Sequence, residues 1–215
     1  MKFLASYSGG KDSILALYRA VKQGHTPLFL LTTYNTDVDR SFFHGIPEKV
    51  LQSVADSLGI PLLLVKTDGP GYQAGFEEAL LQAKAQGAEA CVFGDIDIEE
   101  HRLWPSERCE HAGLKALFPL WGENRTNVTY EFIDSGFIAD IVVVNTRLMP
   151  AEYLGRRLSR ETADYIAEQG YDVCGENGEY HSFVSGGPMF NKPVDFTLGS
   201  QVQQGDYAIL PVQAS

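Results

Sequence analysis

A short glycine-rich segment near the amino terminus combines residue types that bind phosphate. Residues 8–13, SGGKDS, follow an apolar stretch and precede a helical pattern. Glycines let the backbone turn tightly so that successive amide N–H groups converge, and the amino terminus of a helix adds a favourable dipole. The hydroxyls of Ser8 and Ser13 and the ammonium of Lys11 add donors and a positive charge. The segment therefore predicts an anion-binding loop, although its spacing matches neither Gly-x-x-x-x-Gly-Lys-Ser/Thr nor Gly-x-Gly-x-x-Gly.

A second glycine-rich segment contains two carboxylates and a histidine. Within residues 174–181, CGENGEYH, the carboxylates of Glu176 and Glu179 are three positions apart. A carboxylate held beside a nucleophile accepts its proton, so we expect both glutamates to be catalytic. Alternatively, they brace a tight turn by accepting hydrogen bonds from its amides. The neighbours that we assign to substrate binding are Asn177, Gly178 and His181.

Four other polar residues are expected in the same site. Asp95 comes directly after an apolar run and should lie at the carboxyl end of a strand, while His44 lies in the loop after the second apolar run. Arg108, beside Glu107, would bind a substrate carboxylate through two hydrogen bonds unless acidic neighbours neutralise it. We assign all four side chains to substrate binding. The remainder of the acidic stretch 95–110 is typical of a solvated helix face.

The elements that position these residues alternate along the first 145 positions. Apolar runs predict strands, and apolar residues at helical spacing predict helices between them. The predicted strands are 2–7, 27–34, 61–66, 90–94 and 138–144, and the predicted helices are 14–21, 49–58, 76–86 and 127–135. This alternation predicts an α/β fold with a doubly wound, Rossmann-like parallel sheet of about five strands and right-handed crossovers. Ligands of such sheets bind at the carboxyl ends of the strands, near the point where strand order reverses.

The pattern changes after Pro150, where glycine, proline and aromatic residues become frequent. A helix is predicted at 160–169 with Ser159 as its amino-terminal cap, and short strand-like pieces follow it. We therefore expect a smaller carboxyl-terminal lobe that packs on the α/β domain and completes the substrate site. The predicted bounds are 1–120 for the α/β domain and 121–215 for the lobe.

Composition and charge exclude several classes of protein. Of the 215 residues, 44% are hydrophobic and 21% are charged, which is too apolar for a disordered chain. The net charge of −11 disfavours a DNA or tRNA partner, because such proteins need clustered cations. No apolar run reaches the ~20 residues that cross a bilayer, and no signal-peptide segment is present. We expect a soluble, cytoplasmic protein with no membrane partner, whose apolar content permits a homo-oligomer.

The first loop resembles the PP-loop of the N-type ATP pyrophosphatases, whose signature is Ser-Gly-Gly-x-Asp-Ser after the first strand. The resemblance implies an adenine nucleotide alpha hydrolase-like fold and an enzyme that cleaves ATP between its α- and β-phosphates. It assigns the β,γ-pyrophosphate of ATP to the loop. The residues implied to bind ATP are Ser8, Gly9, Gly10, Lys11, Asp12 and Ser13, and strand position adds Ser6 and Thr33.

Four further segments resemble one branch of that superfamily, the diphthine–ammonia ligase family. They are FHGIP at 43–47, GDI at 94–96, the stretch 107–121, and CGENGEYH at 174–181 with GPMF at 187–190. The last is similar to the family's Cys-Gly-Glu-Gly-Gly-Glu signature, with Asn177 in place of a glycine. Asn tolerates a positive φ, so the turn is expected to persist. The chain also ends soon after this segment, whereas the resemblance leads us to expect further carboxyl-terminal domains in eukaryotic members, so the chain resembles a short, bacterial-type relative.

The resemblance implies an ATP-dependent carbon–nitrogen ligase. A small-molecule or protein-borne carboxylate would be adenylated with release of pyrophosphate, and ammonia would then displace AMP. Lys11 would be catalytic, since it offsets the growing negative charge, and Asp12 would hold Mg²⁺. Alternatives are a PP-loop enzyme that modifies RNA and a non-catalytic regulator that binds an adenine nucleotide. Two of the three cysteines, Cys109 and Cys174, are expected to pack as small apolar residues, with sulfur transfer as the alternative.

Overall fold

A computed structural model describes residues 1–215 and contains a central sheet of six strands. The strands are β1 (Lys2–Ser6), β2 (Thr26–Asn35), β3 (Arg40–Ser41), β4 (Leu62–Thr67), β5 (Ala90–Val92) and β6 (Lys115–Leu117). Five of them are parallel, in the order β4-β2-β1-β5-β6, and the two-residue strand β3 pairs antiparallel with the end of β2. The strand order therefore reverses between β1 and β5, which makes this the switch point of the sheet.

Helices cover both faces of this sheet. They are α1 (Lys11–Lys22), α2 (Glu48–Leu58), α3 (Tyr72–Ala85) and α4 (Glu99–His111). Alternate residues of β1 point to opposite faces, as strand geometry requires. Phe3 and Ala5 pack in the core that contains residues of α1 and α2, whereas Leu4 packs with residues of α3 and α4. The predicted doubly wound α/β fold with about five parallel strands is thus confirmed.

A second sheet is built from the carboxyl-terminal part of the chain. Its strands β7 (Ile138–Asn145), β8 (Tyr180–Gly186), β10 (Val202–Gln204) and β11 (Tyr207–Ile209) are antiparallel, in the order β10-β11-β7-β8. A separate pair joins β9 (Phe196–Leu198) and β12 (Val212–Ala214), and the helices are α5 (Arg125–Asp134), α6 (Arg160–Glu168) and a 3-10 turn at Ala151–Tyr153.

The strand predicted at 138–144 exists, but its expected place in the parallel sheet is wrong. It is β7, the centre of the antiparallel sheet, between β8 and β11. Six of its eight residues are buried, and all of these except Asp140 are apolar, so both faces are buried. Because burial on both faces is also the signature of a parallel strand, the sequence pattern alone does not separate the two cases.

Local signals set several element ends. Ser159 caps α6 as predicted, since its side chain accepts a hydrogen bond from the amide of Thr162. Asn124 caps α5 through the amide of Asn127 in the same way. Gly59, with φ of 67°, ends α2 in the left-handed conformation that glycine adopts without strain.

One large core joins the two sheets. This cluster of 40 buried residues includes Phe3 and Leu15 from the first half and Ile141 and Phe183 from the second. Helices α1 and α2 contact both the parallel sheet and the carboxyl-terminal strands β8 and β12, and the cavity described below has walls from both parts of the chain. None of the helices combines the length and the apolar character that crossing a bilayer would take.

Candidate active site

A cavity of about 730 Å³ opens at the switch point of the parallel sheet. The glycine-rich loop between β1 and α1 forms one end, and segments after β2, β5 and before β8 form the walls. Most of the residues that the sequence assigned to the site meet here. They are Ser6, Ser8, Gly10, Lys11, Asp12, Ser13, Thr33, His44, Asp95, Glu176, Asn177, Gly178 and His181.

Two glycines let the loop and α1 approach their surroundings. Gly9 has φ of 93°, a value that side chains with a Cβ rarely adopt. Gly94, just beyond β5, lies against the first turn of α1, where an added Cβ would be 2.7 Å from the carbonyl carbon of Asp12. These contacts place the amino terminus of α1, with its free amides, at the end of the cavity.

Lys11 is the single lysine in the cavity lining, and its charge is retained. Its side chain is 5% exposed, and Nζ lies 2.7 Å from Oδ2 of Asp12 and 5.5 Å from the centre of the Tyr180 ring. Burial by itself lowers the pKa of Lys11, but its neighbours, Asp12 first among them, together outweigh burial and hold this pKa well above its ordinary value. The loop therefore offers a permanent ammonium beside its backbone amides.

Asp12, Cys174 and Glu176 form a cluster next to Lys11. One donor atom from each residue lies within 4.8 Å of the others, and Sγ of Cys174 is 3.7 Å from Oδ1 of Asp12. Burial raises the pKa of the Cys174 thiol to about 12, so this group stays protonated. Burial and the charge of Asp12 raise the pKa of Glu176 to about 7. Glu176 is thus a carboxyl group that exchanges a proton near neutral pH.

Two neutral histidines stand on the other side of the loop. The rings of His44 and His181 have centres 4.9 Å apart. Nδ1 of His44 lies 2.9 Å from the carbonyl oxygen of Ser182 and must donate to it, which leaves Nε2 as the ring nitrogen without a proton. Burial lowers the pKa of His44 to about 3 and that of His181 to about 4. Both rings are uncharged at neutral pH.

Asp95 lies at the end of β5, as the sequence predicted. Burial raises the pKa of its carboxyl group to about 6, and His101 at 3.9 Å is its nearest basic neighbour. An aromatic wall continues from this point along the cavity. Its residues are Phe42, Phe43, Tyr72, Phe76, Phe93 and Trp104, with ring centres of Tyr72 and Trp104 5.8 Å apart.

Four residues assigned from the sequence do not line the cavity, namely Glu179, Arg108, Glu107 and Gly9. Glu179 turns back and accepts hydrogen bonds of 3.1 Å from the backbone and side-chain nitrogens of Asn177, which is the turn-bracing alternative. Arg108 is mostly buried and pairs with Glu77 of α3 at 3.2 Å and with Glu107 at 2.9 Å. The fourth is Gly9, whose turn shapes the loop without facing the cavity.

Cys109 and Cys174 do not come together. Cys109 is fully buried in the core cluster of α3 and α4, where it packs near Cys91. Cys174 belongs to the larger core and lies beside Asp12. The three cysteines are free, so Cys109 packs as an apolar residue and the chain contains no disulfide.

Arg125 lies outside the cavity lining but positions two of its segments, and nothing in the sequence predicted this role. Its guanidinium donates to both carboxylate oxygens of Asp97 at 2.7 Å, to Asp172 at 2.7 Å and to the Asn177 side chain at 3.0 Å. Asp172 in turn accepts hydrogen bonds from the amides of Cys174 and Glu176 at 2.9 and 3.2 Å. Arg125 therefore ties the loop after β5 to the turn that carries Glu176. No motif around position 125 signals this role.

Two family models match this chain. The model of the diphthamide synthase N-terminal domain matches residues 1–116, and that of the diphthamide synthase C-terminal domain matches residues 124–213. The chain belongs to the diphthamide synthase family. The family match thus covers both sheets and every element that lines the cavity.

Relatives of this diphthamide synthase family member are named diphthine–ammonia ligase. The protein of Rattus norvegicus is 26% identical over 99% of this chain and 89% of its own length. That of Danio rerio is 25% identical over 99% and 92%. The Schizosaccharomyces pombe protein is 24% identical over 100% of this chain and 39% of its own length. The expectation that eukaryotic members have further domains agrees with the yeast protein, of which the match covers 39%. It does not agree with the rat and fish proteins, of which the match covers 89% and 92%.

A solved structure is also similar to this chain. It is described as a predicted subunit of tRNA methyltransferase from Methanocaldococcus jannaschii, is 17% identical, and covers 90% of this chain and 100% of its own, with a TM-score of 0.48.

Proposed function

We propose that this protein is an ATP-dependent ligase that converts a carboxylate into an amide with ammonia, as the name diphthine–ammonia ligase describes. The observation that carries the proposal is the convergence of Lys11, Asp12 and Glu176 at the end of one cavity. The match to both family domains supports it over nearly the whole chain.

ATP would occupy the cavity with its β,γ-pyrophosphate at the loop. The amides at the start of α1 and the ammonium of Lys11 favour an anion there. Ser6 and Thr33, at the ends of β1 and β2, would contact the nucleoside. A cavity of about 730 Å³ is within the range that holds a ligand of this size.

The first step would be adenylation of the acceptor. A carboxylate oxygen forms a bond to the α-phosphorus of ATP, and the bond from that phosphorus to the α,β-bridging oxygen breaks, so pyrophosphate leaves. Negative charge grows on the departing pyrophosphate. The buried ammonium of Lys11 stabilises that charge more strongly than a solvated one would.

A divalent cation is implied by a reaction of this kind, and the residues present fit Mg²⁺. Carboxylate oxygens are the ligands that Mg²⁺ prefers, and Asp12 lies beside the loop with Glu176 nearby. The protonated thiol of Cys174 is not a ligand for this ion. Asp12 would hold Mg²⁺ through water, and the bound ion would add positive charge at the phosphates.

The second step would be attack by ammonia. Its nitrogen forms a bond to the acyl carbon, the bond from that carbon to the AMP oxygen breaks, and a surplus proton remains on nitrogen. Glu176 would accept that proton, because its pKa of about 7 makes the carboxylate available and a useful base near neutral pH. The acceptor is a carboxylate, either on a protein or on a small molecule, and diphthine is one candidate. The residues that would surround it are His44, Asp95, Asn177, Gly178 and His181.

The proposal is tested by following nitrogen and phosphorus together. The protein is incubated with ATP, Mg²⁺, nitrogen-15 ammonium and a cell extract as the source of acceptor, with Lys11→Ala as control. We expect AMP and pyrophosphate in amounts equal to the labelled amide, and none of the three with the variant. ADP with inorganic phosphate, or AMP without any labelled amide, would refute an amide-forming ligase.

A further inference from the structure

Strand β8 of the second sheet is bonded directly to the loop. The amide of Val184 donates to the carbonyl oxygen of Gly9 at 2.9 Å, and the amide of Lys11 donates to Oγ of Ser182 at 3.3 Å. His44, from the loop after β3, donates to the carbonyl oxygen of Ser182 at 2.9 Å. The loop that begins α1 is therefore held as much by the carboxyl-terminal sheet as by its own.

An irregularity in the sheet lies beside this contact. The pairing of β7 with β8 shifts register between Ile141 and Val143, opposite Ser182 and His181. Consecutive residues of a regular strand point to opposite faces, but Tyr180, His181 and Ser182 all line the cavity. The extra residue of this bulge is Val142 in β7, opposite the part of β8 whose Ser182 side chain reaches the loop and accepts from the Lys11 amide.

The Ser182 hydroxyl has an unused hydrogen. Its side chain is 2% exposed, and its oxygen accepts from the Lys11 amide, so the hydroxyl hydrogen remains to be donated. No acceptor in the chain receives it. The amides of Asp12 and Ser13, at the start of α1, also have no acceptor in the chain. Three donors without partners thus meet at the same end of the cavity.

We propose that Ser182 is a phosphate-binding residue that the second sheet adds to the loop. Its hydroxyl donates to a non-bridging oxygen of the pyrophosphate group, alongside the amides of Asp12 and Ser13. Buried donors gain most from an anionic acceptor, because leaving them unpaired away from water is costly. His44 fixes the backbone of Ser182 and is its positioning residue. The inference rests on the proposed use of ATP and specifies which part of the nucleotide Ser182 contacts.

The test compares two ligands of the folded full-length protein by calorimetry. Inorganic pyrophosphate with Mg²⁺ contains the group that Ser182 would contact, whereas AMP does not. In Ser182→Ala we expect the Kd for pyrophosphate to rise about ten-fold to a hundred-fold, with the Kd for AMP unchanged within about two-fold. The matched control is Ser185→Ala, since Ser185 is 4% exposed on the same strand and does not line the cavity.

The remaining outcomes separate this inference from the proposed function. Pyrophosphate binding that is unchanged in Ser182→Ala, or equal weakening of pyrophosphate and AMP, overturns the role of Ser182. If Ser182→Ala unfolds, Ser182→Cys keeps the volume and replaces the donor with a weak one, and the same loss specific to pyrophosphate is expected. A parent protein that binds neither ATP, AMP nor pyrophosphate refutes the proposed function itself.

Discussion

The carboxyl group of Glu176 is the side chain whose protonation the cavity controls most directly. Its pKa of about 7 results from burial and from the charge of Asp12. Because only the carboxylate accepts a proton, amide formation should rise with pH through about 7, provided that free ammonia is kept constant. Glu176→Gln should lose this rise and react about 10² to 10⁴ times more slowly.

The control for this pH profile is Glu110→Gln, which changes an exposed glutamate on α4 outside the cavity. It should keep both the rate and the profile of the parent protein. A Glu176→Gln variant with the parent's rate at every pH would remove Glu176 from proton transfer.

The buried histidines make stability depend on pH in a direction that can be worked out. The pKa of His44 is about 3 in the folded chain and near its ordinary value of 6.5 when unfolded, so acid favours the unfolded state. Neutral His44 makes its full contribution to the free energy of unfolding above the unfolded pKa of 6.5, and this contribution is lost as pH falls below that value. Between pH 7 and pH 5, His44 should lower the free energy of unfolding by about 2 kcal/mol.

Urea unfolding at the two pH values measures this effect. His44→Asn keeps a donor for the Ser182 carbonyl but removes the titrating ring, so its free energy of unfolding should fall less with acid. Subtracting the two pH dependences cancels the contributions of other groups. Equal slopes for parent and variant would contradict a buried, neutral His44.

For single residues, the sequence predicted the site best where the residues that act together are neighbours in the chain. The residues 8–13 are neighbours in the chain, so their types and order were enough to predict an anion-binding loop. Glu179 and Arg108 show the limit, because a sequence places them near the site without saying which way the side chains point. Glu179 points back to its own turn, and Arg108 points to Glu77.

Among the elements, the segments after β5 and before β8 have to be held at a fixed separation. Arg125 does so through Asp97 and Asp172, and the second of these shapes the turn of Glu176. Arg125→Gln should therefore lower kcat about ten-fold or more while the protein remains folded, because a misplaced base costs rate steeply.

Arg160→Gln is the matched control for Arg125. Arg160 makes a similar paired contact with one carboxylate, Asp134, but on an exposed surface outside the cavity. Its replacement should leave kcat unchanged. If both variants lose kcat equally, the effect comes from lost ion pairs in general and not from the position of Glu176.

The close approach of β5 to α1 gives another prediction. In Gly94→Ala the new Cβ would lie 2.7 to 2.9 Å from backbone atoms of Asp12 and Ser13, which do not move as a side-chain end does. We expect a loss of about 1–3 kcal/mol in the free energy of unfolding and weaker ATP binding, because α1 is pushed from the cavity.

Gly69→Ala is the control, since a Cβ at Gly69 meets no atom within 4 Å. Its stability and ATP affinity should match those of the parent protein. Chemical denaturation and calorimetry measure the two quantities. Unchanged ATP affinity in a destabilised Gly94→Ala would show that the loop does not depend on this contact.

The strands and helices of the first half were predictable because their apolar periods differ. The place of β7 was not, because a fully buried strand reads alike in parallel and antiparallel sheets. The role of Arg125 was not predicted for another reason. Its hydrogen-bond partners lie 28, 47 and 52 positions away along the chain, so no local sequence pattern indicates these contacts.

For the molecule as a whole, the site is shared between two sheets. The loop and Asp95 come from the parallel sheet, while Glu176, His181 and Ser182 precede or begin β8. Its charge balance is also distinctive, since Lys11 is the single lysine or arginine among the lining residues, against the carboxylates of Asp12, Asp95, Glu100 and Glu176. In the proposed reaction, a bound Mg²⁺ would offset this negative charge where the phosphates of ATP approach the loop.

The most direct test of the central claim is exchange of labelled pyrophosphate into ATP without ammonium, in the presence of Mg²⁺ and an acceptor-containing extract. Reversible adenylation of a carboxylate predicts that label enters ATP, that this depends on the extract, and that Lys11→Ala abolishes it. ATP turned into ADP and inorganic phosphate, with no label entering ATP, would contradict adenylation at this site.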